Sequence, residues 1–160
     1  MPRFFVNPAN VSETEIEITG SDVNHIKNVL RMNVGEEISV SDGCGTDYFG
    51  TIGVLGRESV TVHIENSWVS YVELPAKITL FQGLPKADKM ELIIQKAVEL
   101  GVYEIVPVVT KRTIVKLDAK KEAKKLARWQ GISESAAKQS GRGIIPKVAA
   151  PMSFNDALKQ

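Results

Sequence analysis

The sequence has few of the residues on which several kinds of site depend. It contains one cysteine, Cys44, and two histidines, His25 and His63, so it predicts neither an internal disulfide nor a metal-ligand cluster. No Walker motif, dinucleotide fingerprint or nucleophilic triad occurs. No apolar run approaches the roughly 18 residues that span a bilayer, and the N-terminus lacks a signal-peptide core. We therefore expect a cytoplasmic protein that has no metal site and no membrane segment.

Positive charge is scarce in one part of the chain and concentrated in another, although the formal net charge is only +1. Residues 1–70 contain 4 basic and 10 acidic residues, whereas residues 111–147 contain 11 basic and 3 acidic residues. A concentration of this kind is typical of a protein that binds a polyanion, with nucleic acid as the first candidate. For the run KKEAKKLAR at 120–128, a solvated helix face is the alternative interpretation.

Residues 78–113 predict a strand, a helix and a second strand. An apolar run opens at Ile78, and a helical spacing of apolar residues follows at Met90, Ile93, Ile94, Ala97 and Val98. Gly101 stands where a left-handed C-cap is expected, and residues 103–109 read as a buried strand. A strand, a crossover helix and a strand imply parallel pairing.

Residues 1–72 show a different pattern, with short alternating segments at 15–19, 37–40 and 60–64. Asp42-Gly43-Cys44-Gly45 predicts a hairpin between two of them, and Ser21 is expected to cap one short helix. The predicted fold class is thus α+β with two domains. A small β-barrel covers 1–72, and a parallel-sheet domain covers 73–160.

The parallel-sheet domain continues with a helix from Ala119 to about Gln139, capped by Asp118. Within it, Gly131 costs about 1 kcal/mol relative to alanine, which predicts a kink or a close packing contact. A third strand is expected at 147–150 and a further helix capped by Ser153. Because the chain stops soon afterwards, we expect the sheet to require residues beyond Gln160.

The candidate functional residues of this domain are basic. Arg112 follows the second strand, at the edge where open α/β sheets bind ligands. Lys86 and Lys89 stand at the start of the crossover helix, where cations oppose the helix dipole. Arg142 lies between Gly141 and Gly143, which predicts a freely presented guanidinium. Each prediction has an alternative. Arg112 could form a salt bridge at the rim, Lys86 and Lys89 could be ordinary surface lysines, and Arg142 could be an ordinary loop arginine.

Four motifs together resemble the bacterial RsmE-type ribosomal RNA methyltransferases of the SPOUT, or α/β-knot, superfamily. They are PRFFV at 2–6, HIKNVLRMNVGEEISVSDG at 25–43, LPKADKMELIIQKAVELGVYEIVPVVTKRT at 84–113 and RWQGISESAAKQSGRGIIPKV at 128–148. The resemblance covers nearly the whole chain. It implies a PUA-like RNA-binding barrel at 1–72 and the first part of a knotted methyltransferase domain at 73–160.

The resemblance also implies a function. S-adenosylmethionine would methylate uracil N3 in 16S rRNA, and the enzyme would pair as a homodimer on the small ribosomal subunit. Arg142 would stabilise the charge on the base as the catalytic residue. Lys86, Lys89 and Arg112 would hold RNA phosphates, and Arg3, His25 and Arg31 would be the RNA contacts of the barrel.

The sequence departs from the family pattern in one respect. The cofactor loops of the family, a Gly-Pro-Glu-Gly-Gly turn and later Leu-Arg and Glu-Thr-Ala stretches, do not occur. We therefore expect no cofactor-binding residue in this chain, and neither cofactor binding nor methylation by the chain alone. A stand-alone RNA-binding module and a dimerising scaffold are the competing interpretations.

Overall fold

The computed structural model describes residues 1–86, 88–111, 113 and 119–160. The predictions for Arg112 and for Asp118 as a helix cap lie outside these residues. The described chain divides into two compact units, Met1–Val72 and Glu73–Gln160.

The first unit is a five-stranded sheet with short helical segments. Its strands are β1 (Arg3–Phe5), β2 (Glu15–Thr19), β3 (Glu37–Ser41), β4 (Thr46–Leu55) and β5 (Ser59–Val69), in the order β1-β3-β4-β5-β2. Only the β1–β3 pair is parallel. A 3-10 turn (Pro8–Asn10), helix α1 (Ser21–Asn24) and one π-helical stretch (His25–Val29) connect the strands.

The apolar residues of these alternating strands form the core of the unit. In the β2–β5 pair, Ile16 lies opposite Val62 and Ile18 lies opposite Val60. All four residues are at most 1% exposed. Burial of this kind contributes roughly 1.5–3 kcal/mol for each Val or Ile side chain. The sheet is therefore held together by the face that the alternation predicts.

Two predictions about turns in this unit have different outcomes. The hairpin at Asp42 is confirmed: its carboxylate accepts hydrogen bonds from the backbone N–H groups of Cys44 (2.8 Å) and Thr46 (2.9 Å). Gly43 and Gly45 have φ of 67° and 114°, the conformation that glycine permits. The prediction that Ser21 caps the helix is wrong, because Gly20 is the N-cap and Ser21 is the first residue of the helix.

The second unit is a small parallel sheet that packs against helices. It comprises β6 (Thr79–Gly83), α2 (Lys89–Glu99), β7 (Glu104–Val109), α3 (Ala119–Ser140), β8 (Lys147–Val148), β9 (Met152–Ser153) and α4 (Phe154–Ala157). β7 is central, with β6 on one edge and both β8 and β9 on the other. The predicted βαβ unit is confirmed.

A proline in the central strand explains why its neighbour is broken into two short strands. The Val108 carbonyl accepts from the Leu84 N–H on the β6 side, whereas the Ile105 carbonyl accepts from the Ala149 N–H on the β8 side. Pro107 therefore faces the β8 side and offers no N–H there. β8 ends at Val148 and β9 begins at Met152, so the break lies opposite Pro107.

The helices of this unit follow their apolar spacing. Met90, Ile94 and Val98 of α2 are buried, and Gly101 ends the helix with a φ of 101°, as predicted. The close packing contact expected at Gly131 is wrong: α3 runs through this residue, and a Cβ built there would meet no atom within 4 Å. Ser153 caps α4, since its hydroxyl accepts from the Asp156 N–H.

Candidate functional site

The carboxyl ends of β6, β7 and β9 meet at one edge of the parallel sheet, where open α/β sheets bind ligands. Exposed lysines stand at this edge: Lys86 follows β6, Lys89 opens α2, and Lys111 follows β7. None of the three forms an ion pair with another described residue. The edge thus presents three exposed ammonium groups that form no ion pair with the described residues.

A cleft of about 610 Å³ opens at the same edge, beyond β7 and β9. It is lined by Val109, Thr110, Lys111, Ser153, Phe154 and Asn155. Thr110 of this lining is hydrogen-bonded to Thr113: its N–H donates to Thr113 Oγ1 (2.9 Å), and the Thr113 N–H donates to its carbonyl (3.0 Å). The sequence predictions missed this cleft. Its signal was the position of residues 110–111 directly after a buried strand.

Arg142 is not presented freely, so that expectation is wrong. The residue is 5% exposed, and its guanidinium lies inside the second unit. Nε donates to both carboxylate oxygens of Glu73 (2.9 and 3.1 Å), and Nη2 donates to the same carboxylate. Nη1 donates to the Val98 carbonyl (2.8 Å), and Nη2 also donates to the Val102 carbonyl (3.0 Å). The guanidinium therefore joins the residue that opens the unit to the end of α2.

Glu73 completes this cluster from the other side. One carboxylate oxygen also accepts from the backbone N–H groups of Gly143 (2.8 Å) and Ile144 (3.2 Å). Partial burial raises the pKa of Glu73, but the hydrogen bonds and the charge of Arg142, together with those two N–H groups, outweigh it and hold the pKa below its usual value. Glu73 is thus an ionised anchor for the loop around Arg142. We call Glu73 and Arg142 the clamp.

The candidate residues of the first unit differ in how far they are available. Arg3 donates to the buried Asp47 (2.6 Å) and lies over the Phe5 ring, so its guanidinium is partly committed. His25 is exposed and packs edge-on against Phe4. Arg31 is exposed and follows the π-helical stretch with a φ of 54°. A non-glycine residue in this strained conformation is often functional, which favours Arg31 as the contact.

Metal ligands and membrane spans were also sought in the described residues. Within the described ranges, no three histidine, cysteine or acidic side chains are grouped as a metal site would require. No helical segment there combines the length and the hydropathy of a membrane span.

Comparison with known proteins agrees with this architecture. Residues 72–160 match a family described as "RNA methyltransferase domain", and residues 18–65 match "RNA methyltransferase PUA domain". The chain belongs to the RNA methyltransferase family. The RsmE-type resemblance is thereby confirmed, and so is the fold of a PUA-like unit followed by a SPOUT-type parallel sheet.

The chain also resembles individual methyltransferases. The chain is 37% identical to ribosomal RNA small subunit methyltransferase E of Bacillus subtilis, with 100% of the chain and 64% of that protein covered. The same enzyme of Neisseria gonorrhoeae, solved bound to S-adenosylmethionine, has a TM-score of 0.88 at 38% identity, covering 66% of its length. A Legionella pneumophila methyltransferase with bound cofactor has a TM-score of 0.87 at 31% identity, covering 65% of its length. The chain thus spans about two thirds of these relatives.

Proposed function

We propose that this chain carries the RNA-recognising part of an enzyme that methylates uracil N3 in 16S rRNA. The observation that carries the proposal is the group of exposed lysines at the carboxyl edge of the sheet, which form no ion pair with described residues and lie beside an open cleft. Lys86 and Lys89 would hold phosphates there, together with Arg112, and His25 and Arg31 would contact RNA from the first unit. The partner we propose is 16S rRNA or the small ribosomal subunit, and the location we propose is the cytoplasm.

Transfer of a methyl group to uracil N3 requires that N3 lose its proton and that negative charge on the base be stabilised. The lysines of the carboxyl edge could supply that stabilisation. The catalytic role of Arg142 stays a prediction, and it would require the guanidinium to leave Glu73. We propose instead that Arg142 positions the loop that contains it, since its N–H donors already serve the clamp.

S-adenosylmethionine is the methyl donor we propose for the full-length enzyme. Val109 and Phe154 offer an apolar surface that could face an adenine ring. Among the described residues that line the cleft, however, none is acidic, so none can accept hydrogen bonds from the ribose hydroxyls or pair with the ammonium group as a carboxylate would. The described residues therefore fit only part of the cofactor. We propose that the chain alone neither binds the cofactor nor methylates RNA.

The experiment combines two measurements on the chain and on its Bacillus subtilis relative. Filter binding with unmodified 16S rRNA should show binding by both proteins. Transfer of labelled methyl groups and calorimetry with S-adenosylmethionine should give a signal for the relative alone. Failure of the chain to bind the RNA would contradict its role in recognition. Turnover by the chain would refute the proposal about the cofactor.

We also propose that the chain forms a homodimer. Large apolar side chains of the second unit are exposed, among them Phe81 (44%), Leu92 (58%) and Leu100 (81%), and a dimer interface would bury some of them. Light scattering should give twice the monomer mass of 17.5 kDa. A dimer that does not bind RNA would support the scaffold interpretation instead.

A further inference from the structure

Helix α3 consists of two halves that are packed very differently. In residues 129–140, the side chains of Trp129, Ser133, Ala136 and Ala137 are buried against the rest of the unit. In residues 120–128, all of which the structure describes, no side chain is buried. We call residues 120–128 the α3 arm. A helical segment without a buried face gains little stability from packing.

The arm extends past the start of the neighbouring helix. Arg128 pairs with Glu91 of α2, with Nε 2.7 Å from Oε1 and Nη2 2.9 Å from Oε2. Nine residues of α3 precede Arg128, whereas two residues of α2 precede Glu91. At about 1.5 Å per residue, the arm overhangs α2 by about 10 Å. Because crossover helices begin at the carboxyl ends of strands, the overhang lies on the side of the candidate site.

The positive charges of the arm destabilise the helix to which they belong. Lys120 and Lys124 are four residues apart, as are Lys121 and Lys125, so each pair places like charges on adjacent turns. Lys120 and Lys121 also lie in the first turn of the helix, where cations oppose the macrodipole. The arm contains one acidic residue, Glu122, among these four lysines, so it keeps an excess of positive charge that a solvated helix face does not require. The arrangement therefore indicates an anionic partner.

We propose that the α3 arm binds the phosphate backbone of the RNA next to the candidate site. The inference rests on the proposed function and adds a second contact surface to it. Lysine ammonium groups suit this role, since they act as mobile point charges that follow a backbone without reading sequence. Because the overhang lies on the same side of the sheet as Lys89 and the carboxyl edge, we favour RNA over an acidic protein. The arm would bind phosphates outside the cleft, while the lysines of the edge bind those nearest the target base.

The test replaces Lys120, Lys121, Lys124 and Lys125 by glutamine, which has a similar helix propensity. The control replaces four lysines elsewhere in the second unit: Lys77, Lys96, Lys147 and Lys159. Both variants lose the same charge, and Trp129 fluorescence in a Trp68→Phe background checks that each is folded. Binding to purified 16S rRNA is measured over a range of salt concentrations.

The arm variant should bind about tenfold or more weakly at physiological salt, and its slope of log affinity against log salt should be shallower by about 3. The control should keep the slope and bind within about threefold of the original chain. Amide hydrogen exchange of residues 120–128 should slow when the RNA binds to the original chain. That last readout reports contact with the arm and not net charge.

Each alternative outcome is decisive. If the original chain binds 16S rRNA and the arm variant binds equally well with the same slope, the inference fails while the proposed function stands. Equal losses of RNA affinity in both quadruple variants would mean that only net charge matters. That result would also overturn the inference about the arm. If the original chain does not bind the RNA at all, the proposed function fails and the inference fails with it.

Discussion

Positive charge occurs in two settings within the second unit. The clamp holds its cation, Arg142, at 5% exposure against a carboxylate and two carbonyls. The cations of the carboxyl edge and most of those of the α3 arm are exposed. A buried guanidinium with committed donors stabilises the fold, whereas exposed ammonium groups are available to a ligand. The difference shows that the density of positive charge along a sequence does not identify the residues that bind a polyanion.

Removal of the buried cation should have the largest effect on stability. Arg142→Ala removes the guanidinium that pairs with the carboxylate of Glu73 and donates to two carbonyls, so the free energy of unfolding should fall by about 3–5 kcal/mol. Urea unfolding measures it through Trp129 fluorescence, in a Trp68→Phe background that leaves one tryptophan. The matched control is Arg128→Ala, whose partly exposed pair with Glu91 should cost about 1 kcal/mol or less. Equal losses would mean that the clamp is no stronger than a surface pair.

The clamp should also make stability depend on acid pH. The pKa of Glu73 is lowered in the folded protein, so its contribution is present above the unfolded pKa, about 4.5. That contribution is lost as the pH falls through the lower, folded value. Glu73→Gln should therefore be less stable at pH 7 and show a flatter loss of stability below about pH 4.5. An unchanged acid dependence in this variant would rule out Glu73 as the responsible group.

The exposed side of α3 should tolerate change that the packed side of the unit does not. Gly131→Ala should raise the free energy of unfolding by about 0.5–1 kcal/mol, since the site is open and helical. Gly101→Ala is the contrasting variant and should be destabilising. There φ is +101°, and a Cβ would lie 2.7 Å from Leu74 Cδ1. Stabilisation by both substitutions would show that the described packing is wrong.

Local pattern predicted much of this fold. The alternation of β2 and β5 and the helical spacing of α2 predicted which side chains are buried, because burial follows the periodicity of each element. The clamp could not be predicted in this way. Glu73 and Arg142 are 69 residues apart, and only the folded chain brings them together. The glycines around Arg142 suggested an exposed loop, yet the Gly143 N–H donates to Glu73 and the loop folds inward.

The cleft was missed for a related reason. Its far wall is formed by Ser153, Phe154 and Asn155, which stand beside β7 only because β9 pairs with that strand. A two-residue strand after a proline-induced break leaves almost no pattern in the sequence. The positions of Lys86 and Lys89 at the carboxyl edge could be predicted, since both lie near the start of a helix whose apolar spacing is clear in the sequence.

The central claim is that the exposed lysines of the carboxyl edge bind RNA while the clamp only holds the fold. The most direct measurement determines both 16S rRNA affinity and the free energy of unfolding for Lys86→Gln/Lys89→Gln and for Glu73→Gln. The lysine variant should bind about tenfold more weakly, with its unfolding free energy within about 0.5 kcal/mol of the original chain. Glu73→Gln should lose about 2 kcal/mol of stability and, where folded, keep its RNA affinity within about twofold. Loss of RNA affinity by folded Glu73→Gln as large as that of the lysine variant would contradict the claim.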